Sequence, residues 1–450
     1  MVGLARLAIL VACAFAAWAE VRAGAARTVI TPDLKAHAPV YLAGFGQNRL
    51  ATAIHDDLFV RCLALSTERQ RALVLCGVDS IGLFFDDVAR IRAAVERAVA
   101  PVKADVLVAS THDHQAPDTM GLWGPAMGQS GINEAYNTLV IERAAEAAAL
   151  AVRALRPARI TLARTHTLEL DSFIHDNRPP MVHDSELIVL SARDRRGRPI
   201  GTVVNWANHP ETLGSKNTEV TADYPAALYA RLEERLGGIA VFLNGAIGGM
   251  QSPLGAKVGD APDNSFEKAR IIGRRVAEIA ADAVLKARPE SFDRIVHRET
   301  MVPIQISNPG FRLAAQADVF RGRKKPMADG SGPTPVGAVK LLRRGKPWVE
   351  IALVPGELYP ELSVGGVERY PGADLPDAPL ETPVKKMMTA PYRMLVGLAN
   401  DEIGYIIPKV EWDEKPPWLQ NATRRWYGEV NSVGPEAAPL LATALQQVLR

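Results

Sequence analysis

His112 and His114 stand one residue apart where the apolar run Val106-Leu107-Val108-Ala109 ends, in the order Ser110-Thr111-His112-Asp113-His114. Alternate residues of an extended chain point to the same side, so both imidazoles can face one cavity, and neutral imidazole is a common zinc ligand. An isolated His-x-His also arises as two surface histidines beside a turn, so the remaining ligands decide between the readings. Val203-Val204-Asn205-Trp206-Ala207-Asn208-His209-Pro210 repeats the order of strand end, histidine, proline. Val354-Pro355-Gly356-Glu357 sets a carboxylate just past another strand, where it can reach over a sheet edge. Gly397-Leu398-Ala399-Asn400-Asp401-Glu402-Ile403-Gly404-Tyr405 carries a tyrosine through an Asn/Gly-rich passage. Taken singly, Glu357 reads as a solvated turn residue and Tyr405 as a core or lid tyrosine. The glycines of Asn244-Gly245-Ala246-Ile247-Gly248-Gly249 would let backbone amides approach an oxygen anion, and they also suit an ordinary tight turn.

The elements that must hold these groups alternate. Strands are expected at Phe59 to Leu65, Ala72 to Val78, Val106 to Ala109, Arg159 to Ala163, Leu187 to Ser191, Gly201 to Asn205 and Ile239 to Leu243. Helices are expected at Phe85 to Ala100, Tyr136 to Leu155, Tyr224 to Leu236 and Phe266 to Lys286, with Asp223 as an N-cap. From Arg294 the texture changes to strands with long polar loops, Arg321 to Pro335 among them, then the pair Val336 to Leu342 and Trp348 to Val354. A helix from Pro435 to Leu449 follows, and the Trp- and Pro-rich run Trp412 to Trp426 reads as a flap or a packed loop. This order indicates an α/β fold, mixed β-sheets covered by helices in one large catalytic domain.

Composition narrows the function. The 52 Lys plus Arg nearly cancel the 50 Asp plus Glu, and no basic stripe interleaved with aromatics tracks a phosphate backbone, which argues against nucleic acid as a partner. Arg6 precedes an apolar stretch from Leu7 to Trp18 and the small-residue pattern Ala17-Trp18-Ala19, so residues 1–19 read as a cleaved signal peptide and 20–450 as the mature, secreted or periplasmic domain. Cys13 lies in that leader. Cys62 and Cys76 fall roughly opposite each other if their strands form a hairpin, and both a disulfide and two buried thiols fit.

The order and wording of these motifs resemble the neutral, non-lysosomal ceramidases, in their amino-terminal catalytic domain. Ala53-Ile54-His55-Asp56 is similar to the family's Gly-Ile-His segment and Ser110-Thr111-His112-Asp113-His114 to its Ala-Thr-His-Thr-His-Ser-Gly-Pro. Asn177-Arg178-Pro179 resembles Asn-Arg-Ser, Asn205-Trp206 with His209-Pro210 resembles Asn-Trp-Phe with His-Pro, and Pro355-Gly356-Glu357 resembles Pro-Gly-Glu-Phe. Gly397-Leu398-Ala399-Asn400 followed by Tyr405, and Val433-Gly434-Pro435, complete the order. The resemblance implies a Zn2+ site of His112, His209, Glu357 and Tyr405, with His114 and Arg178 contacting substrate and Ser252 in the catalytic set. It implies hydrolysis of an N-acyl amide, ceramide to sphingoid base plus fatty acid, so the partner is a small-molecule or lipid N-acyl substrate, for which access at a membrane surface is one route the sequence does not decide.

Two departures bear on mechanism and substrate. The family's Gly-Asp-Val-Ser-Pro becomes Gly249-Met250-Gln251-Ser252-Pro253, which keeps the serine and loses the aspartate, so water activated by zinc is preferred to Ser252 as nucleophile. The chain also reaches Arg450 without the sandwich domain that follows in ceramidases. A zinc hydrolase of another amide or an ester, and a non-catalytic binding protein on the same scaffold, are the alternatives. The metallo-β-lactamase pattern His-x-His-x-Asp-His fails, because Ala116 and Pro117 occupy its Asp and His places. Oligomeric state is not legible.

Overall fold

The computed structural model describes residues 20–450; residues 1–19, where the signal peptide is read, lie outside them. The first sheet contains β1 (Arg22–Val29), β2 (Phe59–Glu68), β3 (Arg71–Val78), β4 (Lys103–Ser110), β5 (Arg156–Thr165), β6 (Leu187–Asp194), β7 (Pro199–Trp206) and β8 (Ile239–Asn244), in the order β8-β7-β6-β5-β1-β2-β3-β4. The strand Pro289–Glu290 adds to β5. Most neighbours are antiparallel, but β3 runs parallel to β4 and β7 to β8.

Only Arg22 and Ala23 of β1 pair with β5, so this short junction joins two halves that fold face to face. Period-two alternation sends one side of each half outward to helices and the other inward. Val74 and Cys76 of β3 pack beneath α1 (Phe85–Val99) and α2 (Glu134–Arg153), while Leu73 and Leu75 point the other way into a core shared with Val203, Val241 and Leu243. Beyond that core, Val204 and Phe242 pack under α3 (Tyr224–Leu236) and α4 (Phe266–Lys286). Gly77 marks the closest approach of the halves: a Cβ there would lie 2.4 Å from the Phe242 carbonyl oxygen. Strands buried on both faces read as continuous apolar runs, which is why these segments are visible in the sequence.

The second sheet, β9 (Arg294–Gln305), β10 (Ser331–Arg343), β11 (Lys346–Leu353) and β12 (Tyr392–Val396), lies in that order with only β11 and β12 parallel. Its Val339, Leu341, Ile351 and Met394 enter the same central core, and its other face is covered by α5 (Pro309–Gln316), through Phe311, and by the last long helix, Ala437–Val448. β10 begins at Ser331, inside the expected polar loop, because Ser331 to Pro335 pair with Met301 to Gln305 across a long hairpin. Cys62 and Cys76 face each other in register, Cα atoms 4.1 Å apart, and are joined as a disulfide. Among the described residues no helix is long and apolar enough to cross a membrane.

Candidate metal centre

The strand ends bring the histidines together. His112 follows β4 and His209 follows β7, each at the carboxyl end of a strand with a parallel neighbour, the place where open α/β sheets bind ligands. Glu357 follows β11 and Tyr405 follows β12; the two residues pair directly in a short parallel bridge, Glu357–Leu358 against Tyr405–Ile406. Glycines make this crossing passable. A Cβ on Gly248 would come within 2.7 Å of the Glu357 carbonyl oxygen, and one on Gly397 within 2.5 Å of the Gly245 carbonyl oxygen. The glycine-rich passage after β8 therefore serves close backbone packing.

His112 adopts φ 68°, an uncommon conformation for a residue with a side chain. Both its N–H and that of Asp113 donate to the Ser80 carbonyl, so the chain turns sharply off the sheet. His112 Nδ1 lies 2.7 Å from the Ile81 carbonyl oxygen and His209 Nδ1 2.6 Å from that of Gln251. A carbonyl cannot donate, so each Nδ1 carries a proton, and in the neutral ring each Nε2 keeps a lone pair. Both lone pairs are aimed at one atom, Glu357 Oε2, at 3.4 Å from His112 and 3.0 Å from His209. Three acceptors converging in a buried space repel unless a proton or a cation sits among them. Fixing the outer ring nitrogen with a backbone carbonyl is also how proteins orient metal-bound imidazole. The donor set, two nitrogens and a carboxylate oxygen, suits zinc.

Electrostatics follow this geometry. Burial disfavours a charged Glu357, but His112 and His209 outweigh it and hold the carboxyl well below its ordinary range. Burial likewise disfavours a charged His209, and Glu357, Glu211 and the Gln251 carbonyl overcome it and raise its pKa. Tyr405 is buried and its phenol lies well above the ordinary value, first through desolvation and then through the Glu357 charge, so without a cation it stays protonated.

His114 joins the same cluster. Ligand atoms of His112, His114 and His209 all lie within 4.8 Å of one another, and all three residues are buried. Neither ring nitrogen of His114 has a hydrogen-bond partner, although Nδ1 is 3.3 Å from Glu211 Oε2, out of line for a bond. Burial, then the neighbouring histidines and Arg49, push its pKa well below the usual value, so the ring is neutral.

Several of these groups border a cavity of about 930 Å3, counting the part open to solvent. His112, His114, Glu357 and Tyr405 line it, and the rest of the wall is largely apolar, with Phe84, Met120, Trp123, Ile304, Phe311 and Phe320.

Ser252 and Arg178, expected to act on substrate, are engaged by protein groups here. Ser252 is fully buried and, like His209, does not line the cavity; its Oγ accepts the Leu254 N–H at 2.9 Å and its hydroxyl helps hold the Glu211 carboxyl down against the effect of burial. Arg178 is not brought to the cavity either. Its terminal nitrogens form a fork with Glu429 at 2.6 and 2.8 Å and also donate to the Glu411 carbonyl and the Tyr359 hydroxyl. The guanidinium carbon also lies 5.4 Å from the Tyr359 ring centroid and 5.3 Å from that of Trp426, so Trp426 packs on this ion pair. Conversely, Glu211 and Glu402 stand beside the cluster although neither belongs to the expected set. Glu211, two residues past His209, carries the only usable signal.

Histidines at two strand ends and a carboxylate and tyrosine paired from segments that follow the second sheet meet on a mixed α/β scaffold. Compared with solved structures, the fold is that of the neutral ceramidases. It superposes on a ceramidase complexed with C2 with a TM-score of 0.71 and 16% identity, covering 96% of this chain and 74% of that one. It also matches the neutral ceramidase of Pseudomonas aeruginosa, with a TM-score of 0.69, 17% identity, and 96% and 73% of the two chains covered. No protein-family model and no curated protein matches the sequence.

Proposed function

We propose that this chain belongs to the neutral ceramidase family and hydrolyses the N-acyl amide of a lipid substrate, ceramide or a related compound, with zinc held by His112, His209, Glu357 and Tyr405. The observation that carries the reading is the convergence of two imidazole nitrogens and a carboxylate oxygen beside a largely apolar cavity. Zinc bound there supplies Lewis acidity toward the amide carbonyl and lowers the pKa of water toward neutrality. The apolar wall takes the acyl chain and excludes bulk water from the scissile bond. His114, neutral and with both ring nitrogens unpartnered, is placed to take a proton from the attacking water and return it to the leaving nitrogen. The Ser252 hydroxyl is engaged with the Leu254 N–H and with Glu211, which favours water over the serine as nucleophile. Residues 1–19 as an export leader and the Cys62–Cys76 disulfide together support action in an oxidising, extracytoplasmic compartment.

A second ligand set, His112, His114 and His209, is favoured by the mutual approach of the three rings. Metal content of the purified protein, together with fatty acid release from ceramide and from a panel of N-acyl amides and esters, tests the whole reading. The expected result is near one zinc per chain with amide turnover, loss of both in His209→Ala, and retained zinc in His114→Ala. Zinc retained in His209→Ala sinks the assignment. Zinc lost in His114→Ala but kept in Glu357→Gln moves it to the three histidines, and ester turnover alone redirects the substrate.

A further inference from the structure

Of the residues lining the cavity, two carry buried side-chain polar atoms with no hydrogen-bond partner: His114, in the histidine cluster, and Glu402 through its Oε2. Glu402 is only 3% exposed, and its other oxygen accepts the Gly404 N–H at 2.8 Å. The adjacent carboxylate is fully used in holding the fold: Asp401 accepts from the Phe85 and Glu402 N–H groups, the Thr334 hydroxyl and the Lys324 ammonium. Glu402 is spared that work. Space for its side chain is made by Gly82, where a Cβ would fall 2.9 Å from Glu402 Cγ and 2.6 Å from Met120 Sδ. An unsatisfied carboxyl oxygen in an apolar wall is costly, and native structures keep such groups where a ligand completes them. Gly404, whose N–H Glu402 accepts, in turn accepts the Glu357 N–H at 3.1 Å through its carbonyl, which sets Glu402 close to the Glu357 side of the cavity.

We propose that Glu402 is a specificity-determining residue whose Oε2 hydrogen-bonds a hydroxyl on the amine side of the substrate, so that the site selects N-acyl amino alcohols over N-acyl alkylamines. The inference rests on the hydrolytic reading above. A hydroxyl is the group of choice because it both donates and accepts, and so satisfies the carboxyl whether or not it is protonated. Sites built to bond a substrate hydroxyl discriminate strongly against the analogue that lacks it, since the buried partner is then left bare.

The test uses two amides of the same acyl chain, one on an amino alcohol and one on the matching alkylamine, with the metal-loaded wild type, Glu402→Gln and Glu402→Leu. The wild type is expected to prefer the amino alcohol by about 10- to 100-fold in kcat/KM. Glu402→Gln keeps most of that ratio, because an amide also bonds a hydroxyl, and Glu402→Leu brings it toward one. A ratio that survives in Glu402→Leu, or is absent in the wild type, overturns the proposal. Calorimetric binding of the free long-chain amino alcohol and its deoxy amine separates this from the hydrolytic reading. If the wild type cleaves neither amide yet binds the amino alcohol in a Glu402-dependent way, hydrolysis falls and the specificity role stands; if it cleaves both equally, the reverse holds; if it neither cleaves nor discriminates, both fall.

Discussion

Replacing Arg178 by Met separates two roles that the residue cannot both fill. As a substrate contact, its loss would raise KM and leave stability alone. As the structure places it, Arg178 is 6% exposed and Glu429 fully buried, joined by two parallel hydrogen bonds, with two more donors spent on Glu411 and Tyr359. Arg178→Met preserves the apolar stem between Tyr359 and Trp426 but strands the Glu429 carboxylate, whose remaining bond is the Asp413 N–H at 3.1 Å. Removing one partner of a buried pair costs about 3–5 kcal/mol, whereas removing both charges is often close to neutral. The double variant Arg178→Met/Glu429→Gln should therefore recover at least about 2 kcal/mol relative to the sum of the single changes. Urea unfolding of the wild type, both single variants and the double variant gives the four free energies, and amide kinetics on the folded fractions gives KM. Glu429 sits on the short helix Tyr427–Val430, whose Tyr427 lines the cavity, so a modest kinetic effect accompanies the loss of stability. An unchanged unfolding midpoint with a raised KM would refute this reasoning and return Arg178 to the substrate.

Two further predictions concern the scaffold under the site. Burial pushes the Asp79 carboxyl up to about 7, against the pull of Arg61 and of hydrogen bonds from Phe59 N–H and the Tyr229 hydroxyl. A folded pKa above the unfolded one means that the contribution is complete below about pH 4 and lost as pH rises through 7, worth up to about 4 kcal/mol. Asp79→Asn cannot titrate, so its stability relative to the wild type should improve by an amount of that order between pH 4 and 8 in urea unfolding; a difference that does not vary with pH counts against the buried-carboxyl account. The disulfide closes a loop with a sequence separation of 14, for which chain entropy gives about 3 kcal/mol. Cys62→Ala/Cys76→Ala should lose at least about that much in the same assay, and an unshifted midpoint shows that the thiols are not joined.

The sequence is most legible where local pattern and burial coincide. β3 and β8 are buried on both faces, so they stand out as apolar runs between polar turns, and α3 and α4 keep their expected limits. β1 does not stand out. Its Arg-Ala-Gly-Ala-Ala-Arg-Thr-Val has little strand character, and Gly24 is there because α2 ends against it, a Cβ falling 2.3 Å from the Ala151 carbonyl oxygen. Two of the site's side chains, His112 and His209, are readable because a histidine at a strand end is a local signal. Glu402 is not, since a buried carboxylate and a solvated one look alike until the chain folds around them, and Glu211 is signalled only by its place two residues past His209. The motif around Arg178 is just as visible, but whether a guanidinium faces a substrate or a glutamate 251 residues away is a property of the tertiary structure alone.

The convergence point draws on both sheets: His112 and His209 come from the first, Glu357 and Tyr405 from the segments that follow two strands of the second, and His209 meets Glu357 across 148 residues of chain. No local stretch of sequence can assemble it. Loop closure on this scale comes late and slowly, so the cluster is complete only when the second sheet has docked on the central core. Until then the two histidines are an incomplete chelate. On the zinc site proposed above, metal retention would report on the docking of the two sheets, and the cation would be the clasp that discourages their parting.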